Sequence, residues 1–134
     1  MLLIAVILNL VVAVGLFAMG AKYVRAVPPM DYHAEILSGA PVPDPFLKIL
    51  GGLYKGMGGA FLAMGAGVIL LTVFGVFSDV FWAKLTIFVM GLIAGGPATN
   101  AAKTVEDATG VKTPWRIAAG LTALVVLAFV LSLM

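Results

Sequence analysis

The sequence predicts an all-α polytopic membrane protein, with four transmembrane helices in an antiparallel bundle and a short interfacial helix in the first loop. Three observations predict it. Four long apolar stretches each come near the ~20 residues needed to cross a hydrocarbon layer of ~30 Å. Charge is scarce: 63% of the 134 residues are hydrophobic and 10% are charged, with a mean hydropathy of +1.17, where soluble domains carry roughly a quarter charged residues. Finally, two of the apolar runs open on a polar residue followed by proline, Asp44-Pro45 and Thr113-Pro114. A free carboxylate or hydroxyl can accept from first-turn N–H groups, and proline at the first helical position loses no hydrogen bond.

The elements follow in order as a single domain, residues 1–134. The first span covers about 2–21 and is interrupted only by Asn9, which should hydrogen-bond a neighbouring helix. It has no basic leader, and its apolar run exceeds the ~7–15 residues of a signal core, so it reads as a retained helix. A long, proline-rich loop follows, with Pro28, Pro29, Pro41 and Pro43. Within it, Met30 to Leu37 reads as the short interfacial helix, placing Asp31 and Glu35 on one face and His33 and Leu37 on another.

The second span covers about 45–74. A tight turn at Gly75–Ser78 makes it a hairpin with the third span, about 79–96, for which Asp79 is the expected cap. Gly95-Gly96-Pro97 should stop or kink that helix. Residues Thr99 to Thr109 then read as a separate short helix, ended by Gly110 in a left-handed cap. The fourth span covers about 114–134, with Thr113 as its cap.

Orientation follows from basic residues. Lys22, Arg25, Lys48, Lys55, Lys103, Lys112 and Arg116 belong to the first and third connections or the helix ends beside them, and only Lys84 lies opposite. Short loops rich in Lys and Arg stay cytoplasmic, so both termini should face outward.

Burying apolar surface does not bring helices together in lipid, and close backbone approach must do so instead. The second span carries small-residue rows at helical spacing, Gly52-Gly56-Ala60 and Gly59-Ala63-Gly67, and the third carries Gly91 and Gly95. These rows are expected where spans two and three, or two copies of the chain, press together.

The polar groups that could carry a site gather at the basic end. Candidate ligand-binding residues are Tyr32, His33, Glu35, Tyr54, Lys55, Trp115 and Arg116. His33 is the only histidine, and it titrates near neutral pH. Lys55 lies roughly 15 Å along its helix from Pro45. It either faces the bundle interior or snorkels to the headgroups. Trp115-Arg116 reads as an interfacial anchor, with Glu106, Asp107 or Glu35 as acids within reach of the arginine. Asp79 and Lys84 read as cap and anchor at the other interface.

Several chemistries are excluded. With no cysteine, thiolate catalysis and cysteine-held metal clusters are out. No phosphate loop, paired-histidine motif or Ser-His-Asp set is readable, and no basic stripe suggests nucleic acid. No metal or cofactor is expected.

The stretch Leu50-Gly51-Gly52-Leu53-Tyr54-Lys55-Gly56-Met57-Gly58-Gly59 resembles the second helix of small DoxX-like bacterial membrane proteins and related uncharacterised four-helix families. The resemblance implies an apolar first span, a longer polar loop, a glycine-rich second span and two further helices, in a bacterial inner membrane. It implies no activity. Three functions remain open from the residues. The chain is a membrane subunit or binding module for an apolar ligand or lipid, alone or as a homo-oligomer or part of a larger complex. Alternatively it is an oligomeric transporter or channel built around Lys55, or a membrane enzyme using His33 and Glu35 as acid and base.

Overall fold

A computed structural model describes residues 1–134 as five α-helices and no strands. They are α1 (Leu2–Arg25), α2 (Asp31–Leu37), α3 (Asp44–Leu71), α4 (Phe81–Thr109) and α5 (Trp115–Ser132). Four of them, α1, α3, α4 and α5, are long and apolar enough to cross a membrane. A five-residue π-helical segment, Thr72–Val76, continues α3 into the turn before α4.

The helices pack in a definite order. α1 lies against both α3 and α5, and α5 also packs on α4, while α3 and α4 meet chiefly through the π segment. The α1–α3 seam is built from residues repeating every three or four positions: Asn9, Ala13, Leu16, Gly20 and Tyr23 on α1, and Tyr54, Gly58, Phe61, Gly65 and Val68 on α3. Most of these are buried. Glycine brings the backbones together here. A Cβ placed on Gly58 would stand 2.7 Å from the Val24 nitrogen and 2.9 Å from the Gly20 carbonyl oxygen.

Within the chain, spans two and three do not meet along the expected rows. Gly52, Gly56 and Gly59 have nothing of this chain within 4 Å of a Cβ position and, like Ala63, lie on the exposed side of α3. Gly91 and Gly95 face α5 rather than α3, meeting Val125 and Thr122. Only Gly67 looks across toward α4, where the tip of Met90 stands 4.0 Å away. The physical reason lies in neighbouring side chains. The exposed rows are interleaved with Ile49, Leu53 and Met57, large groups suited to lipid, while the Gly58–Gly65 row is flanked by Tyr54 and Phe61, which pack inward.

Other local expectations are also revised. α4 continues through Gly95-Gly96-Pro97 to Thr109 without a break. Proline forfeits one backbone bond, and the α5 contacts made by Gly91 and Gly95 on the turns before it hold the helix in line. Gly110 then ends it in the left-handed conformation, φ 73°, as its position implied. Asp79 does not cap α4. It adopts φ 59° and its carboxylate takes the Lys84 ammonium at 2.5 Å. Thr113 does not cap α5 either; its hydroxyl donates to the Ala102 carbonyl at 2.8 Å and its N–H to Glu106 at 2.8 Å, tying the last connection back onto α4. α5 accordingly starts at Trp115, after Pro114. Asp44 falls inside the first turn of α3 and makes no cap hydrogen bond.

Lys84 was legible as an interfacial anchor only. It is buried, with its side chain 6% exposed, and donates to the last-turn carbonyl of Ser132 at 2.6 Å as well as to Asp79. A lysine from the start of α4 thus satisfies a free carbonyl at the end of α5, where helix termini leave four such groups open. Asn9 is buried, but the expected hydrogen bond to a neighbouring helix is not made: its side-chain oxygen has no partner. Phe74, Phe77, Phe81 and Trp82 are exposed around the turn.

Candidate functional site

Between the four long helices lies an apolar, open-sided cleft. Each helix contributes a stripe. α1 and α3 supply a wall of flexible and large groups, including Leu16, Met19, Phe61 and Met64, whereas α4 and α5 supply small ones, including Ala94, Ala98, Ala118 and Thr122. Of these, only Thr122 is polar, and its hydroxyl already donates to the Ala118 carbonyl at 2.8 Å. The cleft walls offer nothing to a charge.

One end of the cleft is closed by the main apolar core, where Val12, Val68, Ile87 and Val125 pack with Val76 and Ala83 near the turn. Toward the basic end, Met19 and Phe61 belong both to the cleft wall and to a second cluster of Tyr23, Tyr54 and Met30. Tyr23 is the centre of that cluster, edge-on to Tyr54 and to Phe61 with ring centroids 5.8 Å apart in both cases.

Tyr54 is 2% exposed and its hydroxyl is fully used. The Met30 N–H donates to it at 3.2 Å, and it shares a short hydrogen bond with Nδ1 of His33. The His33 ring stacks on Tyr54 at 5.4 Å and meets Tyr32 at 4.0 Å. Partial burial lowers the His33 pKa below 6.5. Burial, and then the neighbouring Tyr23 hydroxyl, raise the Tyr32 phenol above its ordinary range. α2 itself buries no residue; Met30, the Tyr32 phenol beside Tyr23 and the His33 imidazole connect it to the bundle.

The expected gathering of polar residues is therefore two groups. Tyr32, His33 and Tyr54 come together with Tyr23. Trp115 and Arg116 belong to a separate set on α4 and α5, where Arg116 pairs with Glu106 at 2.8 Å and lies 4.7 Å from the Trp115 ring, while Lys103 pairs with Asp107. No hydrogen bond, ion pair or ring contact joins the two. Glu35 is exposed and its carboxylate has no partner, so it forms no acid–base pair with His33. Lys55 is exposed and points away from the cleft, with no ion pair, which fits snorkelling rather than an inward role.

Sequence reasoning missed Tyr23, Met30, Gly20, Gly58 and Gly65. The signal was present in the spacing. Val12, Leu16, Met19 and Tyr23 recur at four, three and four residues, and Tyr54, Gly58, Phe61, Gly65 and Val68 at four, three, four and three, the repeat of a helix–helix seam.

The His33 arrangement has a testable pH dependence. The folded state disfavours the imidazolium, because partial burial strips the charged ring of water. The stability that the buried neutral ring contributes is fully present above the ordinary value of 6.5 and is lost as pH falls through the depressed folded value. Hydrogen exchange at the Met30 amide should accelerate on acidification relative to the core of α1, after correction for intrinsic rates. In His33→Phe that amide should be open at every pH. An amide equally protected in acid and in the variant would show that His33 does not hold α2.

The fold and cleft together define a class: a small helical protein with four helices able to cross a membrane and an apolar space among them. Comparison with known protein families, characterised proteins and solved structures finds no match.

Proposed function

We propose that this chain is a small multi-pass membrane protein that holds the hydrocarbon part of a lipid or other apolar ligand between its helices. The observation that carries this reading is the cleft itself, whose walls are apolar and to which all four long helices contribute. A channel or ion transporter would need polar groups along its path, and the single lysine at depth points outward. An acid–base enzyme would need a second group beside His33, and Glu35 does not supply it. The reading of a binding module, working alone, as a homo-oligomer through the outward glycine face of α3, or in a larger assembly, is what the geometry supports best. In this reading the helices form an antiparallel transmembrane bundle of the DoxX-like plan. α2 lies at the headgroup level, and both termini lie opposite the basic loops.

The test is direct. Protein purified in native lipid and analysed by native mass spectrometry should retain a lipid or apolar adduct. A photoactivatable acyl chain should label cleft residues such as Met64 and Ala94. Ala94→Trp, which fills the space, should lower retained adduct about tenfold, equivalent to about 1.4 kcal/mol of lost affinity. An empty wild-type protein, or labelling confined to the outer faces, would refute the reading.

A further inference from the structure

The walls of the cleft are sealed unequally. Between α1 and α3, a Cβ on Gly20 would lie 2.8 Å from Leu62 and 2.9 Å from the Gly58 carbonyl oxygen. Between α1 and α5, a Cβ on Gly15 would lie 2.7 Å from Leu121. Between α4 and α5, Gly91 stands in the same relation to Val125 at 2.7 Å, and Gly95 is closer still to Thr122. Past the turn, Gly75 is pressed on Ala83, closing the far end. Contacts of that kind leave no seam through which a chain could slip.

The α3–α4 side is different. Both helices line the cleft, yet away from the π segment they barely touch. The one approach recorded at a glycine there is Met90 Cε, 4.0 Å from the Cβ position of Gly67. Both residues are half-buried. A methionine is an unbranched, three-torsion side chain that repacks at low cost, and the glycine opposite has no side chain to obstruct it. The remaining end, toward the basic loops, is filled by Tyr23, Tyr54 and Phe61.

We infer that the α3–α4 side is a lateral portal, with Met90 as its movable bar across Gly67, and that the ligand is the hydrocarbon chain of a bilayer lipid entering sideways from the membrane. This rests on the reading of the cleft as a hydrocarbon-binding site and adds its route and its ligand class. The headgroup stays outside, because the cleft walls offer no charge partner and the one hydroxyl among them, Thr122, is already bonded to its own helix. A water-soluble apolar compound would have to pass the tyrosine cluster or cross the lipid first. A bilayer lipid is already at the opening.

The experiment separates route from site. Protein in phosphatidylethanolamine/phosphatidylglycerol vesicles is mixed with vesicles of the same composition carrying a phospholipid with a pyrene-labelled acyl chain. Occupancy at equilibrium and the rate of chain exchange are followed separately. Gly67→Leu should slow exchange about tenfold, an added barrier of about 1.4 kcal/mol, and Met90→Ala should speed it several-fold, with equilibrium occupancy within twofold in both. Because the chain has no cysteine, Gly67→Cys with Met90→Cys can be bridged by a short bifunctional thiol reagent at those two sites alone. Bridging should stop exchange in protein already loaded. Normal occupancy with unchanged exchange in the bridged protein would overturn the portal and leave the cleft reading intact. Absence of any occupancy in wild type would overturn both. The Met90→Ala and bridged proteins keep the test decisive if Gly67→Leu fails to fold.

Discussion

Gly58→Ala is expected to cost about 3 kcal/mol, the upper end of the range for overpacking a close contact. Gly56→Ala, two residues earlier on the same helix, is expected to stabilise by up to about 1 kcal/mol through helix propensity alone. The difference comes from what the new methyl meets. At Gly58 it would lie 2.6 Å from a Val24 methyl, 2.7 Å from the Val24 nitrogen and 2.9 Å from the Gly20 oxygen, and two of those three are backbone atoms that cannot rotate away. At Gly56 it would meet nothing of this chain within 4 Å. The α1–α3 seam would have to part along its length, and with it the wall of the cleft carrying Met19 and Phe61. Equilibrium unfolding of the two variants, by steric trapping in bicelles, distinguishes them. Equal effects would mean that the seam does not run through Gly58.

The second large effect is an asymmetry between two halves of one ion pair. Asp79→Asn should destabilise by about 3 kcal/mol, because it leaves the Lys84 ammonium buried with a neutral partner. Asparagine tolerates the left-handed backbone, φ 59°, so strain does not confound the result. Lys84→Met should cost less, about 1–2 kcal/mol. The aspartate side chain it abandons is 72% exposed and hydrates freely, leaving the Ser132 carbonyl as the group deprived of a partner. The double variant should recover most of the Asp79→Asn loss. The same unfolding assay applied to all three proteins checks the order, and a Lys84→Met cost equal to or above that of Asp79→Asn would contradict it.

How far the sequence could be read depended on which solvent each residue answers to. The four long helices follow from apolar run length. Glycine spacing was a poor guide. A small residue every fourth position marks a face where a helix can be approached, and Gly52-Gly56-Ala60 satisfies that condition, whereas Gly58 and Gly65 stand seven residues apart with Phe61 and Leu62 between them. What separates them is whether the flanking residues also find partners, as Tyr54 does in Tyr23 and Ile49 does not. Partners on other helices are not local information. The caps failed for a related reason: Asp79 and Thr113 had the chemistry to cap their own helices, but Lys84, Ala102 and Glu106 were better placed to bond them. His33 was legible as the single titrating side chain at neutral pH, whereas its hydrogen bond required knowing that the hydroxyl 21 residues on lies beside it.

The unbroken run of α4 through Pro97 has a consequence beyond packing. Twenty-nine residues at 1.5 Å each make a rod of about 43 Å, against a hydrocarbon slab of ~30 Å. In a bilayer, unless the rod leans steeply, about its last two turns would stand clear of the oil as a rigid post, braced near its tip by the Arg116–Glu106 clasp. Cargo grafted at Gly110 would then be carried at a fixed height and bearing above the bilayer.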